Sequence, residues 1–226
     1  MSKAGMGLGI VGTALVAAAL AGPWWSFSMS GTVLFVSFNL TLGFGVFGGS
    51  ASGNIPGGGG GLTSGDYSQM PATAGVFQVG MLLAVLGVVL GILTLAMSAM
   101  AGARPKMRKV GALTGILGFV FALLAAMYVM ATLPAAIAAD TQSFGGLANL
   151  SGFWGSQSID LLGVQFTVAW GAGWGWYLLI VGGVLILVAG LASLRAPRPA
   201  PMMPAPMPGY QQGYPMPPPP PPYQQP

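Results

Sequence analysis

Apolar residues fall along this chain in two rhythms: unbroken runs of helix length, and shorter stretches in which every second residue is apolar. A hydrocarbon layer of about 30 Å takes about 20 residues of helix at about 1.5 Å each, and four runs meet that length. They extend from about Ala4 to Gly22, Val76 to Met100, Val110 to Leu133 and Gly171 to Leu194. The second carries Leu82, Leu83, Val85, Leu86, Val88, Val89 and Leu90 without an intervening charge. Such a segment is apolar all round, as helices surrounded by lipid are. The polar members Thr13, Thr94, Ser98 and Thr114 can return their hydroxyls to their own helix backbone. Pro23 and Pro134 follow the first and third runs, where a helix stops without losing buried hydrogen bonds.

The period-two stretches lie between these runs. Phe38, Leu40, Leu42, Phe44 and Val46 alternate with Ser37, Asn39, Thr41, Gly43 and Gly45, the pattern of a half-buried strand. Ser26 to Ser30 alternates around Phe27 and Met29, which predicts two strands joined near Gly31. From Gly48 to Gly65 the chain becomes Gly-rich, with Gly57 to Gly61 consecutive, and a mobile loop is expected there. After the third run, Val164, Phe166, Val168 and Trp170 alternate with Gln165, Thr167 and Ala169, so a third strand should lead directly into the last helix. Strands so near lipid need partners, because an unpaired edge leaves backbone donors and acceptors unsatisfied. The expected fold is a four-transmembrane-helix bundle (residues 1–194) with a small extracytoplasmic antiparallel β-sheet built from segments 23–75 and 134–170.

Composition places the chain in a membrane. Of 226 residues 54% are hydrophobic and 4% charged, a balance that would leave a water-soluble domain with large exposed apolar patches. Charge then predicts sidedness. Lys3, Arg104, Lys106, Arg108, Lys109, Arg195 and Arg198 all fall on one side of the runs, and Asp66, Asp140 and Asp160 on the other. Basic residues in short loops stay cytoplasmic, so both termini are expected inside a cell membrane crossed four times. Four of the seven bases crowd between Ala103 and Lys109, directly between two apolar runs, which argues for a lipid-facing role and against nucleic acid. All six Trp fall at outer ends or in outer segments, where an indole buries its ring and hydrates its N–H. Lys3, the apolar run and Ala19-Leu20-Ala21 before Gly22 also fit a secretory signal peptide, but the run is long for one and leads straight into Trp24-Trp25, which favours a retained helix.

This organisation resembles the claudin and peripheral-myelin-protein group. The likeness lies in four spans, a long strand-rich first outer segment after a Trp-bearing helix end (Trp24-Trp25), and a shorter second one that adds a strand. It covers about residues 1–195. The family's Gly-Leu-Trp motif and paired cysteines are not in this sequence. The resemblance implies a multi-pass protein that works by lateral assembly.

Beyond Leu194 the composition turns to Pro, Met, Gly, Tyr and Gln, and the segment 195–226 is expected to be a disordered cytoplasmic tail with local polyproline II. Within it Pro220-Pro221-Pro222-Tyr223 fits the Pro-Pro-x-Tyr ligand of WW domains, a candidate contact for a cytoplasmic partner against the simpler reading of a low-complexity spacer.

The remaining motifs divide on their context. Gly7-x-Gly9-x-x-Gly12 matches the dinucleotide fingerprint, but no strand precedes it and no acid follows about twenty residues on. Small-xxx-small spacings recur at Gly5 and Gly9, Gly87 and Gly91, Gly111 and Gly115, and Gly171 and Gly175. Helices in lipid associate by close backbone approach, so Gly87, Gly91, Gly111 and Gly115 are expected to pack the second and third spans together. Asn39-Leu40-Thr41 and Asn149-Leu150-Ser151 are glycosylation sequons, Asn149 being the better placed acceptor because Asn39 falls within a strand.

Chemistry is sparse. The chain has no His and no Cys, which removes thiol catalysis, disulfides and the usual zinc and haem ligands, so no cofactor or metal is expected. Asp140 and Asp160 lack a nearby base or nucleophile and read as solvated loop acids. The expectation is a non-enzymatic structural, adhesion or scaffold component, assembling with itself or with other membrane proteins. The alternative is an accessory subunit or a passive small-solute channel; the uncharged spans argue against a coupled transporter.

Overall fold

A computed structural model describes residues 3–33, 35–54, 63–100, 106–141, 152–161 and 164–195. Ten elements follow one another: α1 (Lys3–Ala21), β1 (Pro23–Val33), β2 (Val36–Gly45), β3 (Gly48–Asn54), β4 (Thr63–Gly65), α2 (Pro71–Met100), α3 (Lys106–Thr141), β5 (Gly155–Leu161), β6 (Val164–Ala172) and α4 (Trp174–Leu194). The strands form one antiparallel sheet in the order β4-β3-β2-β1-β6-β5. The two interhelical segments thus meet where β1 pairs with β6.

Antiparallel partners share a face, so the register sorts the sheet into two surfaces. Ser30 stands between Asn39 and Thr167, Asn39 opposite Asn54, Thr41 opposite Ser52, and Ser158 opposite Thr167. That face is hydroxyl and amide. On the other, Phe27 stands between Leu42 and Trp170, Met29 between Leu40 and Val168, and Phe166 opposite Ile159. Trp25, Val168 and Trp170 belong to the buried core, and Phe27, Met29, Phe44 and Ile159 pack against it.

Among the described residues three helices, α2, α3 and α4, are long and apolar enough to cross a membrane; α1, of 19 residues, is apolar and shorter. α1 packs chiefly on α4, and α3 packs on both α2 and α4. Where the helices touch, the interior is rich in small residues, Gly80, Ala84, Gly87, Gly91, Thr94 and Ser98 on α2 and Gly111, Gly115, Gly118, Ala122 and Ala126 on α3, with Phe77, Val129, Leu133, Leu179 and Ile186 as its large members. Leu82, Val85, Leu86, Val89, Ile92 and Leu93 point outward. Water would drive such residues inward, whereas in lipid the helices gain from close backbone contact and lose nothing by exposing large apolar side chains. Lys3, Lys106, Arg108, Lys109 and Arg195 lie at the helix ends away from the sheet, and Asp66, Asp140 and Asp160 lie on the sheet's side.

Several boundaries differ from the sequence expectation. Segment 48–65 is not simply a loop: β3 and β4 occupy its two ends, while Gly57 to Gly61 lie outside the described residues. β3 is Gly-Ser-Ala in composition and pairs through its backbone, which needs no alternating pattern, and it opens at Gly48 with φ +143°, a region that favours glycine. β5 was not expected, for the same reason of weak composition. α2 begins at Pro71 rather than Val76, proline being well suited to a first helical turn. α4 begins at Trp174 rather than Gly171, because β6 continues pairing with β1 to Ala172.

The largest correction is at Pro134, which does not end α3 but lies inside it. The proline forfeits a backbone hydrogen bond there. Against that loss, Leu133, Ala136 and Ile137 are buried, and Asp140 in the last turn is tied to the start of α2.

Candidate functional site

The junction of sheet and bundle is where the chain concentrates its directional chemistry. β1 starts with a bulge between Pro23 and Trp25, which breaks the strict alternation of faces. As a result both tryptophans turn inward. Trp24 is fully buried in the bundle, where a methyl added at Gly80 would lie 2.9 Å from its ring and one added at Gly175 equally close. Trp25 lies in the sheet's apolar face beside Phe44, with ring centroids 5.4 Å apart. Four indoles donate to backbone carbonyls: Trp24 Nε1 to Ala19 O (2.6 Å), Trp25 Nε1 to Phe153 O (3.0 Å), Trp170 Nε1 to Gly152 O (3.1 Å) and Trp176 Nε1 to Ala126 O (3.1 Å). The expectation of hydrated indoles is therefore corrected for these four, which are buried bridges between elements. Trp154 and Trp174 are the two that stay exposed.

A second tie runs through Tyr67, whose hydroxyl donates to Gly45 O (2.6 Å) while its ring stacks on Phe77 of α2. Burial pushes the phenol far above its ordinary value, and the bond it donates to Gly45 O exists only while it is protonated, so it stays a donor. Asp66, fully in water, is held below the ordinary carboxylate value by the hydroxyl and then the backbone N–H of Ser68. Asp140 is not a solvated loop acid. Its two oxygens accept from the backbone N–H groups of Ala72 (3.1 Å) and Thr73 (2.7 Å), capping α2 from another helix. Proline at the start of α2 and an acid sixty-nine residues on are visible in the sequence, but nothing local connects them.

The four glycines chosen from the sequence are all buried, yet they do not form one α2–α3 seam. A methyl at Gly87 would lie 3.4 Å from Gly118 O on α3. One at Gly91 would instead meet Thr13 Oγ1 of α1 at 2.6 Å and Ile186 Cδ1 of α4 at 3.0 Å. A methyl at Gly115 would lie 2.8 Å from Gly190 Cα of α4, and one at Gly111 would lie 3.1 Å from Ser98 Oγ of α2 and 3.4 Å from Ser193 Oγ of α4. The glycines thus serve three different contacts. Gly12 and Gly182, where α1 meets α4, approach as closely, and this places Gly12 of the fingerprint-like motif in helix packing. Hydroxyls add polar links: Thr94 and Thr114 share a hydrogen bond of 3.0 Å between α2 and α3, and Ser193 Oγ of α4 lies 3.1 Å from Arg108 O of α3.

Asn39 is exposed on the polar face of β2, opposite Ser30 and Asn54. There it borders an open concavity whose polar lining, Ser30, Thr32, Ser37, Asn54, Gln165 and Thr167, is uncharged. Asn149, Pro220, Pro221 and Tyr223 lie outside the described residues. Among the described residues no three His, Cys, Asp or Glu side chains gather. In comparisons with known proteins, neither a family model nor a curated protein matched the chain.

Proposed function

We propose that this is a four-span integral membrane protein with its sheet outside the cytoplasm, a non-enzymatic structural, adhesion or scaffold component that works by lateral assembly. The observation that carries it is the inverted distribution of side chains. Small residues line most of the buried faces of α2 and α3, most of the other large apolar side chains of these helices face outward around a few buried ones such as Phe77 and Leu133, and a six-stranded sheet caps one end. Such a surface is covered by lipid or by another membrane protein. The segregation of bases from acids at opposite ends supports cytoplasmic termini. The burial of Val16 and Ala19 and the fit of Gly12 against Gly182 support α1 as a retained span rather than a cleaved signal. The claudin-like layout is consistent with the same role, one interhelical segment giving β1–β4 and the other β5–β6. The Pro-rich tail, through Pro220, Pro221 and Tyr223, would recruit a cytoplasmic partner, and Asn149 and Asn39 are the candidate glycan acceptors.

The rival, a passive pore, finds little support in helices that meet glycine to glycine, as Gly115 and Gly190 do. Native-gel mass in mild detergent, taken directly from the protein's own membranes, tests the proposal. A complex heavier than one chain is expected. A monomer, together with efflux of a neutral solute from vesicles holding the pure protein, would replace assembly with a pore.

A further inference from the structure

The turn between β2 and β3 folds back to the level of the helix ends. Gly45, which closes β2, lies so near the residue after α1 that a methyl on it would come within 2.8 Å of Gly22 O. On the other side of Gly22 is the indole of Trp174, the first residue of α4. Two residues beyond Gly45 is Phe47, 77% exposed, while its neighbour Val46 packs against the core. Trp174 and Tyr177, each 53% exposed, are at the same end of the bundle. Between the turn and the end of α1 is a cavity of about 210 Å³ whose walls include Leu20, Ala21, Pro23, Val46 and Phe47. Among the described residues no charged side chain lines it.

We propose that Val46-Phe47 is a membrane-inserting turn, with Phe47 in the interfacial layer of the bilayer that the helices cross and the cavity behind it filled by lipid. An exposed phenylalanine beside apolar helix ends is costly in water and favourable at the headgroup boundary, where aromatic rings collect. The covering partner is the bilayer because the turn is continuous with the helix surface that lipid already covers. The sheet is then held to the membrane by this turn in addition to its chain connections into the helices and the tie through Tyr67. That fixes the tilt of its polar face toward the outside, which sets how it meets whatever it binds.

The inference rests on the membrane reading above, and the chain's lack of cysteine allows both to be tested together. Single cysteines replace Val85 in mid-α2, Phe47 in the turn, and Phe35, fully exposed at the far tip of the β1–β2 hairpin. Each is labelled with a polarity-sensitive fluorophore in full-length protein reconstituted into phosphatidylcholine vesicles, with and without a fraction of lipid carrying a contact quencher. A shallow acyl-chain quencher should reduce the signal at position 47 several-fold and leave position 35 unchanged, while a deep one should quench position 85. Quenching at 85 but not at 47 would overturn the inserting turn and leave the membrane reading standing. No quenching at 85 would overturn both. Label self-quenching at 47 that survives dilution into excess lipid would assign the turn to a second copy and overturn the proposal as well. Phe47 packs on little of the protein, so folding should survive its replacement, and a thermal unfolding midpoint matching that of the unsubstituted protein verifies it.

Discussion

Gly91 shows what a single position does in a bundle with no amphipathic pattern. Its missing side chain is the space occupied by Thr13 and Ile186, so three helices meet there. Gly91→Leu should lower stability in detergent by about 1–3 kcal/mol, the usual cost of overpacking, as measured by thermal unfolding. Gly7→Leu on α1 should have little effect, because nothing lies within 4 Å of an added methyl there. Equal effects would show that α2 does not turn this face inward. Asp140 offers a different test at the same scale. Its carboxylate replaces the missing helix partners of Ala72 and Thr73, and Asp140→Ala should cost about 1 kcal/mol, as cap removal does. Faster hydrogen exchange at the first turn of α2 would accompany that loss; unchanged exchange would show that water caps the helix equally well.

At the scale of the element, β6 carries the strongest contrast between its faces. Val168 and Trp170 are buried, Gln165 and Thr167 are exposed, and Phe166 is half-buried edge-on to Phe38 at 5.6 Å. Phe166→Asp should destabilise the protein by about 1–3 kcal/mol through lost burial, and Thr167→Asp, exposed between Ser30 and Ser158, by much less. The comparison is made by denaturant midpoint, and equal midpoints would mean that this strand has no buried face. The alternation in β1, β2 and β6 was legible in the sequence because each of these strands separates an apolar from a polar surface. β3 and β5 were not legible. They lie toward the sheet's edges, carry Gly, Ser and Gln, and are held by backbone pairing to neighbours whose pattern does the specifying. Pro134 is the converse case, a strong local signal overridden by the burial and capping of the turns beyond it.

For the whole molecule, the separation of charge predicts sidedness. A cysteine at Gly59 should react with an impermeant thiol reagent in intact cells, and one at Met107 only after permeabilisation; the reverse order would invert every assignment of inside and outside. The tail belongs to the same test of organisation. Truncation after Arg195 should leave thermal stability unchanged, since α4 is complete at Leu194, while removing any cytoplasmic partner from the native-gel complex. A loss of stability would show that the tail is part of the fold.

Hydrophobic length and period two by themselves determined the four helices, three of the strands and the ends at which bases and acids lie, because each of these follows from local composition read against lipid or water. Glycine spacing marked inward positions on α2 and α3, but tertiary structure alone decided which helix each of them meets. Lipid and protein interior are equally apolar, so nothing in the sequence distinguishes Leu82 from Ala84 by polarity; only the fit of small residues between helices does. It also decided the partners of the tryptophan N–H groups and of Asp140, which are carbonyls and amides brought close by the fold from other elements. Such pairs depend on where two distant stretches of chain come to rest, and no periodicity along the chain records that.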